Sequence, residues 1–404
     1  MRWKSYRPKL WLLILICLIK GTFTLHAAFS IGFKNITLED NARSGREIPV
    51  TVWYPAESSG EDAIPVKGRF PLISFAHGWG MNSTLYQPLT EHIVRGGYVM
   101  LMINTETQIL FPNQVEFAAD QLYALNWLKL QSVEPGSFFK GIADDRAALM
   151  GHSMGGGSSI IAGGNSALID LLILLAPADT NPSTSTKASQ VSSPALIFSG
   201  SGDAVTSPDG MHKPLFQKLG SACKYFINIK GGNHCFYAID DPMGCNLLET
   251  VAGSQTQIER EVQQDIVLDL LMPAMDFFLK GNEASYELFN DSIANGIRTE
   301  ITGGCDPGGI ANPQPEDDAL IYPQPASEWF CAMPLPNSSR IADARLFDLS
   351  GKQQNLSFQR ENRGFRFQSG KLPPGVYVLE ITRQNGKQAR KKVCILPANP
   401  SFVN

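Results

Sequence analysis

The stretch LMGHSMGGGS, residues 149–158, holds one serine with a glycine two positions before it and another two positions after it. The apolar run RAALMG (146–151) leads into it, and the small residues GGSSIIAGG (156–164) follow. A buried strand that turns sharply into a helix has this texture. Such a turn forces its central residue into a strained backbone conformation, leaves no room for side chains two positions away, and lifts the serine Oγ above the sheet at the helix N-terminus. Gly151-His152-Ser153-Met154-Gly155 is therefore read as a nucleophile turn, and its flanks should belong to one sheet.

The neighbouring sequence agrees. EIPVTVWYP (47–55), PLISFAHG (71–78), YVMLMIN (98–104), RAALMG (146–151), LLILLAP (171–177), PALIFSG (194–200) and KYFINIKGG (224–232) are short apolar runs that end in small or polar residues. Near-continuous apolar strands imply a sheet covered on both faces. Between them lie helical patterns. Ala118, Leu122, Leu125 and Leu128 share one helix face. Residues 257–279 read as a long last helix that Pro273 should kink or break. This alternation predicts an α/β fold, a mostly parallel sheet with helices on both faces.

A serine hydroxyl needs a base to take its proton. On a sheet of this kind the acid and then the histidine follow the serine in the chain. After Ser153 only His212 and His234 remain. His234 sits in the loop after KYFINIK and is chosen as the base; His212 is read as a solvated helix residue. Asp203, just past the tip of PALIFSG, is the expected acid, with Asp179 and then Asp209 as fallbacks. Its carboxylate would hold the imidazole in one tautomer and stabilise the imidazolium. The tetrahedral intermediate needs oxyanion donors. The expected ones are the backbone N–H groups of Met154 and of Trp79 in the loop AHGWG (76–80). His77 precedes the serine and is read as bracing that loop. His152 and Trp79 are expected to line the substrate cleft.

Composition bounds the partners. Among 404 residues, 43% are hydrophobic, 18% are charged and the formal net charge is −4. With no basic stripe to neutralise phosphates, nucleic acid is excluded as a partner. Arg2, Lys4, Arg7 and Lys9, the apolar run Trp11–Ile19, and Ala27-Ala28 follow the order of a secretory signal peptide over 1–28. The apolar run is too short for a stable transmembrane helix. Six cysteines lie beyond Cys17, and export permits disulfides. Short loop closure favours Cys235 with Cys245, which would pin the His234 loop, and Cys305 with Cys331; Cys223 and Cys394 would be left over. Their spacing does not suit zinc.

The strand–helix alternation stops near 285, so the catalytic domain is placed at 29–285. The Pro- and Gly-rich stretch 286–338 reads as a linker or irregular extension. In 339–404, ARLFDLSGK (344–352), GFRFQSG (364–370), GVYVLEITRQNGK (375–387) and KKVCIL (391–396) are alternating strands joined by turn residues, which predicts a small all-β sandwich.

Over about 45–280 these residues resemble the α/β-hydrolase superfamily. Within it they resemble the dienelactone-hydrolase and cutinase branch, which includes polyester (PETase-like) hydrolases. The resemblance rests on HGWG (77–80), GHSMGGG (151–157), PALIFSGSGD (194–203) and INIKGGNH (227–234). It implies hydrolysis of a carboxylic ester through an acyl-enzyme, with Ser153, Asp203 and His234 as triad, Trp79 and Met154 as oxyanion donors, and no cofactor. Polyester-cleaving members often carry a tryptophan in the loop after the sixth strand; here that loop reads APADTNPSTST. The lipase-like, platelet-activating-factor-acetylhydrolase-like and chlorophyllase-like esterases share the triad and stay open as alternatives. So do a serine peptidase or acyltransferase and a non-catalytic surface binding protein.

The C-terminal strands, through ARLFDLSGK, LPPGVYVLEI (372–381) and KKVCIL, resemble the sorting domain of type IX secretion substrates. That implies a second partner, the type IX secretion machinery, and a protein that is secreted or attached to the cell surface. A monomer is the default expectation.

Overall fold

The computed structural model describes residues 29–166, 169–305, 319–322, 326, 328–334, 339–348, 352–361, 364–373, 375–386 and 388–395. The expected signal segment 1–28 lies outside the described residues.

All seven apolar runs are strands of one sheet. In chain order its members are β1 (Ser30–Asp40), β2 (Arg46–Ala56), the short β3 (Gly60–Glu61), β4 (Phe70–Ala76), β5 (Val99–Ile103), β6 (Ala143–His152), β7 (Leu171–Leu175), β8 (Ala195–Gly200), β9 (Lys224–Ile229) and β10 (Thr299–Gly304). Their spatial order is β10-β9-β8-β7-β6-β4-β5-β2-β1-β3. From β5 across to β9 every pairing is parallel. β2 and β10 pair antiparallel at the two flanks of that block. Every residue of β4, β5, β7 and β8 is buried, as continuous apolar strands require when both faces are covered.

The covering helices are α1 (Gln87–Arg95), α2 (Gln114–Val133), α3 (Met154–Asn165), the short α4 (Ser185–Ala188) and α5 (Lys213–Lys218), then α6 (Cys245–Ala252), α7 (Arg260–Lys280) and α8 (Glu283–Asn295). One core packs Ile93 and Val94 of α1 and Leu270, Leu271 and Met275 of α7 on Ile73, Phe75 and Met150. The other packs Leu125 and Leu128 of α2 and Ile160 and Ile161 of α3 on Leu72, Leu149 and Leu174. The two cores take alternate residues of the same strands, the period-two signature of a sheet buried on both sides. Among the described residues no helix is long and apolar enough to cross a membrane.

Three expectations need correction. Of the kink or break expected at Pro273, the break does not occur: α7 continues from Arg260 to Lys280, and Leu270, Leu271, Ala274, Met275 and Phe278 stay buried on both sides of the proline. Packing of that face outweighs the one lost backbone bond.

Within 286–338, expected as a linker or irregular extension, the described residues include regular elements. α8 buries Phe289 in the first core, and β10 extends the main sheet in register with β9, Ile301 opposite Ile227. That register also decides the third correction. Gly304 pairs with Lys224, so the next residue, Cys305, reaches the one before it, Cys223, and these two form a disulfide. Cys305 therefore does not bond Cys331. The expected Cys235–Cys245 bond is present.

Beyond the main sheet, β11 (Ala319–Tyr322), β12 (Trp329–Pro334), β13 (Ile341–Asp348), β14 (Gln353–Gln354), β15 (Phe358–Glu361), β16 (Gly364–Gln368), β17 (Gly375–Arg383) and β18 (Gln388–Ile395) form two antiparallel four-stranded sheets. Phe330, Phe365 and Phe367 of one sheet and Leu346, Leu379, Ile381 and Val393 of the other share a single apolar cluster.

Candidate active site

Ser153 stands between β6 and α3 with φ 54° and ψ −119°. A non-glycine residue with positive φ is uncommon and is held only by its surroundings. Here the Ser153 N–H donates to the Leu175 carbonyl at 2.9 Å, and its own carbonyl accepts from Ala178 N–H at 2.9 Å and Gly157 N–H at 3.1 Å. The flanking glycines are sterically required. A Cβ on Gly151 would lie 2.2 Å from the Gly155 carbonyl oxygen, and one on Gly155 would lie 2.1 Å from that of Ala76.

The structure brings the three expected catalytic side chains together. Ser153 Oγ lies 3.0 Å from His234 Nε2, and His234 Nδ1 lies 2.9 Å from Asp203 Oδ2. Asp203 follows β8 and His234 follows β9, so adjacent parallel strands deliver the carboxylate and the imidazole to one edge of the sheet. Asp203 Oδ1 accepts from the Val205 and Thr206 N–H groups, each at 2.8 Å. Burial pushes the Asp203 carboxyl up, but the charge and hydrogen bond of His234, the nearby His212 and the Thr206 N–H outweigh it and hold the group well below the usual carboxylate range.

The fallback acids are occupied elsewhere. Asp179 accepts from the hydroxyls of Ser183, Thr184 and Ser185. Asp209 is exposed and paired with Lys213.

The loop that carries His234 is clamped. Gln263 of α7 accepts from Asn233 N–H at 2.7 Å and donates to the Asn233 carbonyl at 2.9 Å. Glu249 of α6 accepts from Cys235 N–H at 2.6 Å, and Arg260 donates to the Cys235 carbonyl at 2.8 Å. The Cys235–Cys245 disulfide ties the residue after His234 to the first residue of α6.

His152 does not line a cleft. It is fully buried, its ring packed against those of His234 and Tyr237 at centroid distances of 4.9 and 5.6 Å. Its Nε2–H donates to the His234 carbonyl at 2.9 Å. Its Nδ1 therefore accepts, from Tyr86 Oη at 2.7 Å, and the Tyr86 oxygen accepts Gly78 N–H at 3.0 Å. Tyr86, which the sequence reading passed over, thus joins the loop after β4, through His152, to the backbone of His234. Only its place in the Leu85–Tyr86 apolar pair before α1 marked it as buried.

His77 is also buried. Its ring nitrogens lie 2.8 Å from the Gly78 and Thr105 carbonyl oxygens, bracing two loops. Trp79 is 45% exposed, and its indole N–H donates to the Ile109 carbonyl. Among the described residues no backbone acceptor engages the N–H of Trp79 or of Met154.

His212 overturns its reading as a solvated residue: it is fully buried. The turn Pro208–His212 leads into α5 and sets the imidazole beside Asp203, Nε2 to Oδ2 3.9 Å.

Burial lowers the affinity of His77, His152 and His212 for a proton, the last to about 4. Histidines in the unfolded chain titrate near ~6.5. Below that pH the unfolded chain binds protons that the fold refuses, so stability rises with pH through this window. Chemical denaturation is expected to show stability falling as pH drops from about 6.5 towards 4, each group contributing up to about 1.4 kcal/mol per pH unit. A flat profile there would contradict the buried neutral state of these rings.

A buried, mostly parallel sheet with a serine, an imidazole and a carboxylate in one contact chain at its edge defines an α/β fold with this side-chain arrangement. The model of the PET hydrolase-like (PETase) family matches residues 44–248, half of the chain. The chain belongs to that family. It is 26% identical over 186 residues to cutinase est2 of Thermobifida alba and to cutinase 1 of Thermobifida cellulosilytica. It is 25% identical over 185 residues to a bis(hydroxyethyl) terephthalate hydrolase of Streptomyces coelicolor. These matches cover 46% of this chain and 56%, 64% and 54% of the respective relatives. The chain thus spans a little over half the length of the curated relatives it matches.

Proposed function

We propose that the chain is a secreted serine carboxylic-ester hydrolase of cutinase or polyester-hydrolase type. The observation that carries this reading is the unbroken contact from Ser153 Oγ through His234 to Asp203, at 3.0 Å and 2.9 Å, on a strand–turn–helix whose glycines admit no side chain. Ser153 Oγ attacks the ester carbonyl carbon while His234 Nε2 takes its proton. Ionised Asp203 stabilises the imidazolium. The oxyanion is held by the N–H groups of Met154 and Trp79, which no backbone group competes for among the described residues. Collapse breaks the acyl–oxygen bond, and the leaving alkoxide takes the proton from His234. Water, deprotonated by the same imidazole, then releases the acid and frees Ser153.

A water-insoluble ester is supported by the surroundings of Trp79. Ile109, Leu110 and Phe111 are 61%, 72% and 93% exposed beside it. Their loop is held by Glu106, which bonds Arg46 at 2.8 Å, Gln108 at 2.8 Å and Asn113 N–H at 2.5 Å. A solvent-facing apolar cluster on a firmly anchored loop is the expected form of a docking rim for an apolar solid. The loop Ala176–Thr184 has no aromatic residue, so that loop supplies no aromatic clamp, whereas Trp79 and Phe111 are exposed aromatic faces.

Export by a signal peptide and the type IX machinery is supported by the order of the N-terminal segments and of the C-terminal β motifs. The test is turnover of p-nitrophenyl esters from acetate to palmitate together with product release from polyester film. Highest activity on the short acyl esters, with soluble products from the film, is expected. A maximum at palmitate with no release from film would replace this reading by a lipase-like one.

A further inference from the structure

His212 and Thr206 form a second layer behind the proposed triad. Thr206 Oγ1 lies 3.0 Å from Asp203 Oδ2, 2.8 Å from His234 Nδ1 and 3.0 Å from His212 Nε2, with the Ala176 carbonyl farther off at 3.3 Å. Ser199 Oγ lies 2.8 Å from His212 Nδ1. All of these groups are buried.

The protons can be placed by elimination. Ionised Asp203 only accepts, so the single Thr206 hydroxyl proton is donated to Oδ2. The Thr206 oxygen then has two lone pairs: one meets His212 Nε2–H, and the other shares the single His234 Nδ1–H with Asp203 Oδ2. His212 is neutral, since burial holds it near 4, so its Nδ1 accepts the Ser199 hydroxyl proton. Every donor and acceptor of Thr206 is thereby used, and Asp203 accepts four hydrogen bonds: two backbone N–H groups, the Thr206 hydroxyl and His234.

We propose that His212 is a positioning residue of the ester hydrolysis, acting through Thr206 to fix the hydroxyl that braces both Asp203 and His234. The proposal rests on the reading of Ser153, His234 and Asp203 as the triad. Without the His212 donor, a Thr206 lone pair is left unfilled and the hydroxyl can turn to the Ala176 carbonyl, which frees Oδ2 on one side. A charged group in the place of His212 would cancel part of the Asp203 charge that His234 needs when it becomes cationic. A neutral, wholly buried imidazole supplies the donor without that cost, and linked hydrogen bonds in a dry interior reinforce one another.

The experiment is a double-mutant cycle on the full chain, with kcat and KM for p-nitrophenyl acetate scaled to the sites titrated by a phosphonate ester. His212→Phe is expected to lower kcat about tenfold and leave KM within about twofold. His212→Gln, whose Nε2 can reach the same place, should recover most of that loss. Thr206→Val should lower kcat to a similar degree, and adding His212→Phe to it should lower kcat no further.

A pure packing role predicts the reverse ranking, with Phe tolerated and Gln not, and that result would overturn the proposal. So would losses that multiply in the double variant. If His212→Phe does not fold, Thr206→Val decides, and unchanged kcat there overturns the proposal as well. Ser153→Ala separates the two levels. Retained hydrolysis in that variant removes the triad reading itself. Abolished hydrolysis beside a wild-type His212→Phe removes only the positioning role.

Discussion

Exchange of Ser153 for alanine is expected to lower kcat on p-nitrophenyl acetate by roughly 10⁴- to 10⁶-fold, with little change in KM. The Oγ is the only heavy atom lost. Its backbone bonds to Leu175, Ala178 and Gly157 remain, so the turn keeps its shape and the oxyanion donors keep their places. What survives is the catalysis that binding and those donors provide alone. His234→Ala should fall about as far, and the double variant scarcely further, because nucleophile and base act as one unit. Initial rates with purified full-chain protein would measure this. Residual turnover above about a hundredth of the parent would show that another group attacks the ester, and the contact between Ser153 and His234 would then be structural.

The parts of this site legible in the sequence are those set by local chain geometry. A glycine-flanked serine after a buried strand marks a tight strand-to-helix turn, and Asp203 and His234 each follow a parallel strand that ends at the same edge. The parts missed are set by contacts distant in sequence. His212 sits in a stretch with helical texture, PDGMHKPLF, and nothing in that texture says which way the ring faces. Its burial comes from Ser199 on β8 and Thr206 in the preceding loop.

Adjacency in sequence to Ser153 does not place His152 at the cleft, because the ring packs inward against Tyr86 and His234, contacts distant in sequence. Cys305 was misassigned because short loops close most cheaply in an unfolded chain, while in the folded chain the β9–β10 register brings it to Cys223. β10 itself was hidden by its composition: TEITGG has one apolar residue, Ile301, to mark a strand at the margin of the sheet.

The second large effect concerns Gly155, the position that makes the nucleophile turn possible. Gly155→Ala is expected to cost more than about 4 kcal/mol or to prevent folding. The added Cβ would sit 2.1 Å from the Ala76 carbonyl oxygen, 2.4 Å from its carbon and 2.5 Å from the His77 carbonyl oxygen. All three are backbone atoms at the end of β4, a fully buried strand between β5 and β6, so no side chain can swing aside to make room. Either α3 must back away from the sheet or β4 must move against its neighbours, and a close-packed interior resists both.

Whatever folded protein remains should also lose turnover, because a shift of α3 carries Ser153 and the Met154 N–H away from the loop that holds Trp79. Gly304→Ala provides the comparison: a Cβ there meets nothing within 4 Å, and its cost should stay within about 0.5 kcal/mol. Denaturant midpoints and kcat for the two variants would decide the matter. If Gly155→Ala matched Gly304→Ala in both, the approach of α3 to β4 would have to be looser than these distances state, and the steric reason for glycine after the serine would fail with it.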